Sequence, residues 1–396
     1  CDWSSDVCSS DLHAFVGLFA VIAGLGLDGI VVREVVRGST ARYEVLGAAF
    51  VLKLIAGLFA LVLAILSVSL LRPNDALMHW LVGILAAGMM FQSFSVIDLW
   101  FQSQIRAKYS VCARTLAFLV VIAAFVTLIL KKAPLIAFAL TSLAETVLAA
   151  GGLVVLYIAT GYRIRDWRFN RVWAKTLIKD GWPLILSGLA ITVYMKIDQI
   201  MIGEMIGGRA VGLYSAATRI SEVWYFVPVA VVSSVFPTLI RSKKWNEELY
   251  LRRFQNLYDL MIWLALGIAI PTVLMSGGLV HTLYGPDYAA ASTVLALHIW
   301  AAVFVFLGIA TGKWYLAENM HFSLFRRTLA GGILNILLNF FLIPRYGING
   351  AAIATLVSQA WAAYFHDLLD PATRRVFYMK SRSLLFVSVV KKAMNG

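Results

Sequence analysis

From residue 13 to residue 366 the chain alternates long apolar stretches with short polar connections. A bilayer core about 30 Å thick takes roughly 20 apolar residues of helix to cross. Eleven stretches reach or approach that length: 13–32, 45–71, 76–98, 111–130, 134–160, 181–206, 210–239, 256–282, 288–313, 326–344 and 346–366. The period-two alternation of a barrel strand is missing. Helices, by contrast, satisfy their own backbone in lipid. The pattern therefore predicts an all-α polytopic membrane protein.

Composition sharpens this. Of 396 residues, 61% are hydrophobic and only 14% are charged, against about 25% charged in an ordinary globular chain. No soluble fold has enough interior for that apolar surplus. The net charge of +13 could suggest nucleic acid, but its distribution points to membrane topology, and no nucleic-acid partner is expected. Twenty-five of the 34 Lys and Arg fall in every second connection and in the tail, with the largest group between Arg163 and Lys179. The intervening connections hold only Arg72, Lys131, Lys132, Arg209 and Arg345. By the positive-inside rule the richer set is cytoplasmic. Residue 13 then starts outside and the tail ends inside. One further helix ahead of it would give twelve, with both ends inside.

The first twelve residues, CDWSSDVCSSDL, are polar and join abruptly onto an apolar run. We read 1–12 as a non-native, adapter-like segment. The expected organisation is then an N-terminal lobe over 13–160, lacking its first helix, and a basic cytoplasmic linker over 161–179. A C-terminal lobe over 180–366 and a basic cytoplasmic tail over 367–396 follow. A weak internal repeat supports two lobes. ARTLA at 113–117 matches RRTLA at 326–330, and the same offset sets Ala139 on Ala352 and Leu143 on Leu356. Two six-helix halves in the same orientation imply a pseudo-two-fold axis along the membrane normal and a cavity between them.

A charge near the bilayer centre costs at least about 2.5–3.5 kcal/mol, so it marks a cavity or a partner. On span 181–206, Thr192, Lys196, Gln199 and Gly203 form one polar stripe. Asp198 points about 200° away from Lys196, so Lys196 is expected in a lumen and Asp198 at a helix–helix contact. On span 210–239, Arg219 and Glu222 are spaced to pair, either as a structural pair or as an anion-binding Arg with its counter-ion. Lys53 lies a third of the way into its span, and Glu145 near the middle of its own, where it could carry a coupling proton. Asn335 and Asn339, four residues apart, read as hydrogen-bond glue. Lys313, at a span end, reads as a snorkelling side chain. Three cysteines give no disulfide framework. The histidines lack metal-ligand spacing, and HExxH, GxxxxGK[ST] and GxSxG are missing. Neither a cofactor nor an enzymatic activity is expected.

Four stretches carry a resemblance over essentially the whole of 13–380. They are GLGLDGIVVREVVRGS (Gly24 to Ser39), DLWFQSQIRAKYSVCAR (98–114), WPLILSGLAITVYMKIDQIMIG with VGLYSAATRISEVWYFVP (182–203 and 211–228), and NFFLIPRYGINGAAIATLVSQA (339–360). Together they resemble the O-antigen (Wzx-type) polysaccharide flippases of the multidrug/oligosaccharidyl-lipid/polysaccharide exporter superfamily. The resemblance implies two lobes around a cationic central cavity. It also implies transfer of an undecaprenyl-pyrophosphate-linked oligosaccharide from the cytoplasmic to the periplasmic leaflet of a bacterial inner membrane. A polysaccharide polymerase and a chain-length regulator would be partners. Asp198 and Arg219 fall where the family pattern has recurrent polar sites. Lys196, Arg219, Lys53 and Gln199 are the cavity candidates, with Asp198, Glu222 and Glu145 as coupling or structural groups. A lipid II flippase or a drug/cation antiporter shares the fold. A polymerase, a glycosyltransferase or an inert scaffold fits less well. The first two call for a large periplasmic or acidic catalytic loop, and a scaffold has no use for midspan charge.

Overall fold

A computed structural model describes residues 5–385 other than 39, 40 and 72, with side chains from residue 15 onward. The reading of 1–12 as non-native, and residues 386–396 of the expected tail, lie outside the described side chains. Among the described residues all regular structure is helical. The helices are α1 (Ser5–Gly24), α2 (Asp28–Arg37), α3 (Arg42–Leu71), α4 (Ala76–Ser103), α5 (Lys108–Leu130), α6 (Leu135–Ala159), α7 (Arg171–Met205), α8 (Gly208–Trp245), α9 (Glu247–Tyr284), α10 (Ala291–Ala317), α11 (His321–Leu369) and α12 (Arg374–Leu384). Ten segments are long and apolar enough to cross a membrane, with α1 and α2 counted together as one.

Two expectations change. The span at 13–32 is not one helix: it breaks between α1 and α2, where Leu25 and Gly26 have φ of 53° and 61°. A Cβ on Gly26 would lie 2.6 Å from Cβ of Leu184, so both the backbone angle and the close approach require glycine. The spans at 326–344 and 346–366 form one continuous segment, α11, folded at Gly347 (φ 59°, ψ −139°). The chain doubles back there. A Cβ on Gly350 would collide with the carbonyl of Leu342, and one on Gly331 would lie 2.7 Å from Cβ of Ala362. The two arms of α11 therefore pack side by side. Hydropathy had separated them at the same place, since a polar turn and a backbone reversal coincide.

The chain forms two compact units, Cys1–Leu189 and Ala190–Gly396. The division falls inside α7, which takes in residues 171–179 of the expected linker. In the first unit Ala60, Ala64 and Val68 on α3 meet Val82, Ala86 and Met89 on α4, with Ala23 and Ala139 beside them. A Cβ on Gly57 would lie 2.7 Å from the carbonyl oxygen of Met89, so the two backbones nearly touch. Small residues at such crossings suit a membrane bundle, where packing rather than water expulsion holds helices together. Outward, Leu70 and Leu130 are 83% and 79% exposed, which is free of cost in lipid. In the second unit Ile202, Tyr214, Val280, Leu295, Ile343 and Ala351 close a core around α7, α8, α9, α10 and α11.

Candidate functional site

A buried polar cluster of the second unit surrounds Asp198. This residue shares the buried face of α7 with Ile202, one turn on. Its Oδ2 accepts from the Tyr214 hydroxyl at 2.7 Å and from Oγ1 of Thr355. Its Oδ1 accepts from Nδ2 of Asn339 at 2.5 Å. The same Asn339 Nδ2 lies 3.1 Å from Oδ1 of Asn335. One carboxylate thereby ties α7 to α8 and to both arms of α11, and the fold at Gly347 is what brings Asn339 and Thr355 to the same point. All three donors are neutral. Nδ2 of Asn335 and Oδ1 of Asn339 are buried without a partner. Behind Tyr214, the His298 ring stands edge-on at 6.2 Å, and its Nδ1 lies 2.7 Å from Oγ of Ser221.

The other face of α7 is different. Lys196 is exposed, with Thr192, Gln199 and Gly203 half-buried on its stripe. Arg219 on α8 is also exposed. Neither Lys196 nor Arg219 forms an ion pair among the described residues. The expected Arg219–Glu222 pair is therefore not formed. Arg219 points outward, while Glu222 is half-buried and has Lys196 and Asp198 as its electrostatic neighbours. Spacing of i, i+3 permits a pair on a helix but does not compel it.

Lys53 has a partner of its own. It is buried in the first unit, with its Nζ 2.5 Å from Oδ1 of Asp28 and 2.9 Å from Oγ of Ser95. The break between α1 and α2 sets Asp28 at the head of α2, beside α3, so Lys53 is a compensated charge rather than a free one. Glu145 on α6 is half-buried and forms no ion pair among the described residues.

Sequence reasoning singled out Asp198, Asn335 and Asn339 but missed Tyr214 and Thr355. It also missed a second buried acid. Asp367, at the end of α11, accepts from the Tyr315 hydroxyl at 2.6 Å and from Nζ of Lys380 on α12. Lys380 also donates to the carbonyl of Ala363 at 2.5 Å. Burial pushes its ammonium down to about 8, against the pull of Asp367. In the sequence Lys380 is merely one of six tail cations.

A family model described as "Polysaccharide biosynthesis protein" matches residues 12–243. Among curated sequences, the chain is 30% identical over 186 residues to "Probable flippase AglR" of Haloferax volcanii, covering 45% of this chain and 38% of that one. It is 21% identical over 205 residues to "Capsular polysaccharide biosynthesis protein CapF" of Staphylococcus aureus, covering 50% of each. The chain thus spans half the length or less of these two curated relatives. Among solved structures, an outward-facing multidrug resistance MATE family transporter of the MOP superfamily matches with a TM-score of 0.79 at 15% identity. That match covers 99% of this chain and 90% of the other. The fold is shared.

Proposed function

The chain belongs to the polysaccharide biosynthesis protein family, and from that premise we propose that it is a transporter, not an enzyme, that carries lipid-linked oligosaccharide across a membrane. The observation that carries this reading is the state of Lys196 and Arg219. Both are cationic, both sit on membrane-length helices, and both are exposed without an ion pair among the described residues. Left against lipid, each would cost about 2.5–3.5 kcal/mol or more. On this reading they face an aqueous space, and a basic aqueous surface within a membrane suits an anionic head group. The names of the relatives, a flippase and a capsular polysaccharide protein, support the same class of cargo.

In its finer form the reading is this. The cargo is an undecaprenyl-pyrophosphate-linked repeat unit, moved from the cytoplasmic to the periplasmic leaflet of a bacterial inner membrane. Lys196 and Arg219 replace water around the pyrophosphate, and Gln199 on the same stripe offers its amide to sugar hydroxyls. The tail stays in lipid while the lobes alternate about the site. A polymerase and a chain-length regulator receive the product. Asp198 is a better coupling group than Glu145 or Glu222. It is a buried carboxylate with neutral partners only, and it sits where four helical arms meet, so a change in its charge acts on all of them. An antiporter of cationic drugs needs an acidic surface, and here the exposed charges on α7 and α8 include two unpaired cations.

The test is lipid mass spectrometry on cells lacking the gene, with leaflet-selective labelling. A lipid-linked oligosaccharide is expected to accumulate on the cytoplasmic side and to clear when the wild-type gene is restored. Accumulation of lipid II would move the assignment to peptidoglycan. Altered drug tolerance with no lipid intermediate would refute it.

A further inference from the structure

The connection between α6 and α7 and the first three turns of α7 hold six cations: Arg163, Arg165, Arg168, Arg171, Lys175 and Lys179. All six are exposed, and none forms an ion pair among the described residues. Of the two acids in this stretch, Asp166 is exposed, while Asp180 is half-buried and pairs with the buried Arg33 at 3.0 Å. The connection is not a loose tether. Nδ2 of Asn170 donates to Oε2 of Glu44 at 2.5 Å, the Arg168 amide to the carbonyl of Tyr43 at 3.3 Å, and Nε1 of Trp167 to the Tyr157 hydroxyl at 3.0 Å. A Cβ on Gly47 would lie 2.5 Å from the carbonyl oxygen of Arg168, so the connection rests on the backbone of α3. These contacts set it where α3 begins and α6 ends, at the boundary of the membrane-length helices. All of them lie within the first unit.

From there α7 starts at once, with the amide of Val172 donating to Oδ1 of Asn170 at 2.8 Å. The helix has 35 residues and is about 52 Å long at 1.5 Å per residue, against a hydrocarbon core of about 30 Å. Its first turns therefore reach past the core into the head-group region. One side of those turns is held: Ala174 and Leu177 are buried, and a Cβ on Gly181 would lie 2.8 Å from the carbonyl oxygen of Leu25. The opposite side is open. At 100° per residue, Ile178, Arg171, Trp182, Lys175, Lys179 and Val172 follow one another within an arc of about 120°, and all six are exposed. The apolar members are not marginal: Val172, Ile178 and Trp182 are 73%, 51% and 46% exposed. Cations and bulky apolar groups are thus interleaved on one face of a rigidly held helix.

We propose that this face of α7 binds anionic phospholipid at the bilayer surface, with phosphates at Arg171, Lys175 and Lys179 and the upper acyl chains against Val172, Ile178 and Trp182. Charge complementarity selects an anion, and the apolar groups select its source. A dissolved phosphate would leave Val172, Ile178 and Trp182 facing water. An acidic protein would have to displace lipid from the boundary at which the face lies. Arginine offers paired donors to a phosphate and lysine a point charge on a flexible stem, while an indole ring settles at the head-group level. Basic and apolar groups combined on a helix at that level are the sequence form of anionic-lipid recognition. Membrane topology asks only for an excess of cations in a connection, not for their alignment with apolar groups along one helix face. The proposal does not depend on the cargo assigned above.

The experiment uses the full chain, released from nanodiscs that contain phosphatidylglycerol and phosphatidylcholine in equal amounts, with retained lipid read by native mass spectrometry. Wild type is expected to retain phosphatidylglycerol over phosphatidylcholine by at least about fivefold, the effect of one cation at an anionic surface. The triple variant Arg171→Gln, Lys175→Gln, Lys179→Gln changes only exposed side chains and should abolish that preference. A second triple variant, Arg163→Gln, Arg326→Gln, Arg382→Gln, removes the same charge from exposed positions off this face and should keep it. Equal retention of the two lipids by wild type would overturn the proposal, as would a preference that survives the first triple variant. Equal loss in both triple variants would overturn it too, by reducing the effect to bulk charge. Displacement of phosphatidylglycerol by an equimolar polyprenyl pyrophosphate would give the face to the transported lipid instead.

Discussion

Asp198 and Asp367 both lie buried in the second unit, one on α7 and the other at the end of α11. Each accepts a tyrosine hydroxyl, from Tyr214 and Tyr315 respectively. They part company over charge. Asp367 has the ammonium of Lys380 against it, and the pair fastens α12 to the bundle. Asp198 has the neutral donors Tyr214, Thr355 and Asn339 and, among the described residues, no ion pair. A buried carboxylate with a cation is a fastener, because neither charge can leave without stranding the other. One with neutral donors alone leaves its charge uncompensated, so its state is open to change by whatever proton or ion reaches it. The same residue type therefore fastens one helix in one place and, in the proposed transport cycle, is the coupling group in the other.

The largest expected effect comes from breaking the fastener. Lys380→Met should strand the Asp367 charge and lower stability by about 3–5 kcal/mol, seen as a fall in the thermal transition of the detergent-purified protein. Adding Asp367→Asn in the same chain should restore most of the loss, since a neutral pair has no stranded charge. No recovery in the double variant would mean that α12 is held by its apolar contacts. Asp198→Asn should act in the opposite sense. Its stability effect should be about 1 kcal/mol, because the new amide oxygen still accepts from the two hydroxyls while its NH2 group meets the Asn339 donor. Export should nevertheless stop. Export at the wild-type rate would reduce Asp198 to a second fastener and erase the contrast.

A middle case sharpens the point. Lys53 in the first unit is 3% exposed, yet its partner Asp28 is 66% exposed. Lys53→Met should therefore cost about 1 kcal/mol or less, since Asp28 can turn to water instead of being stranded. A loss on the scale of Lys380→Met would mean that Asp28 is held where solvent does not reach it.

These differences set how much could be read from the chain. Spans follow from apolar run length, which is local, and all eleven stretches recur as helix, two of them as the arms of α11. The break at Leu25–Gly26 was hidden because hydropathy carries no information on φ, and the approach of Leu184 comes from a residue far along the sequence. Asp198, Asn335 and Asn339 could be singled out as polar groups in apolar runs, and the stripe on α7 correctly separates Asp198 from Lys196. Thr355 and Tyr214 could not, because a lone hydroxyl in a membrane helix is ordinary, and only the reversal at Gly347 brings Thr355 to Asp198. Lys53 was visible as a charge but not as half of a pair. Asp367 and Lys380 sit in polar surroundings at a span end, where charge carries no penalty and so gives no signal.

The smallest structural effect should belong to the two residues proposed to bind the cargo. Lys196 and Arg219 are exposed and form no ion pair among the described residues, so Lys196→Ala and Arg219→Ala should each leave stability within about 0.5 kcal/mol of wild type. Insertion and melting should be unchanged while export of lipid-linked oligosaccharide falls sharply, and Lys196→Arg should retain more activity than Lys196→Ala because it keeps the charge. A residue that held the helices together would behave in reverse, losing stability before activity. If both alanine variants export normally, the exposed cations of α7 and α8 are not where the cargo binds, and the role assigned to Asp198 would lose the site it is meant to serve.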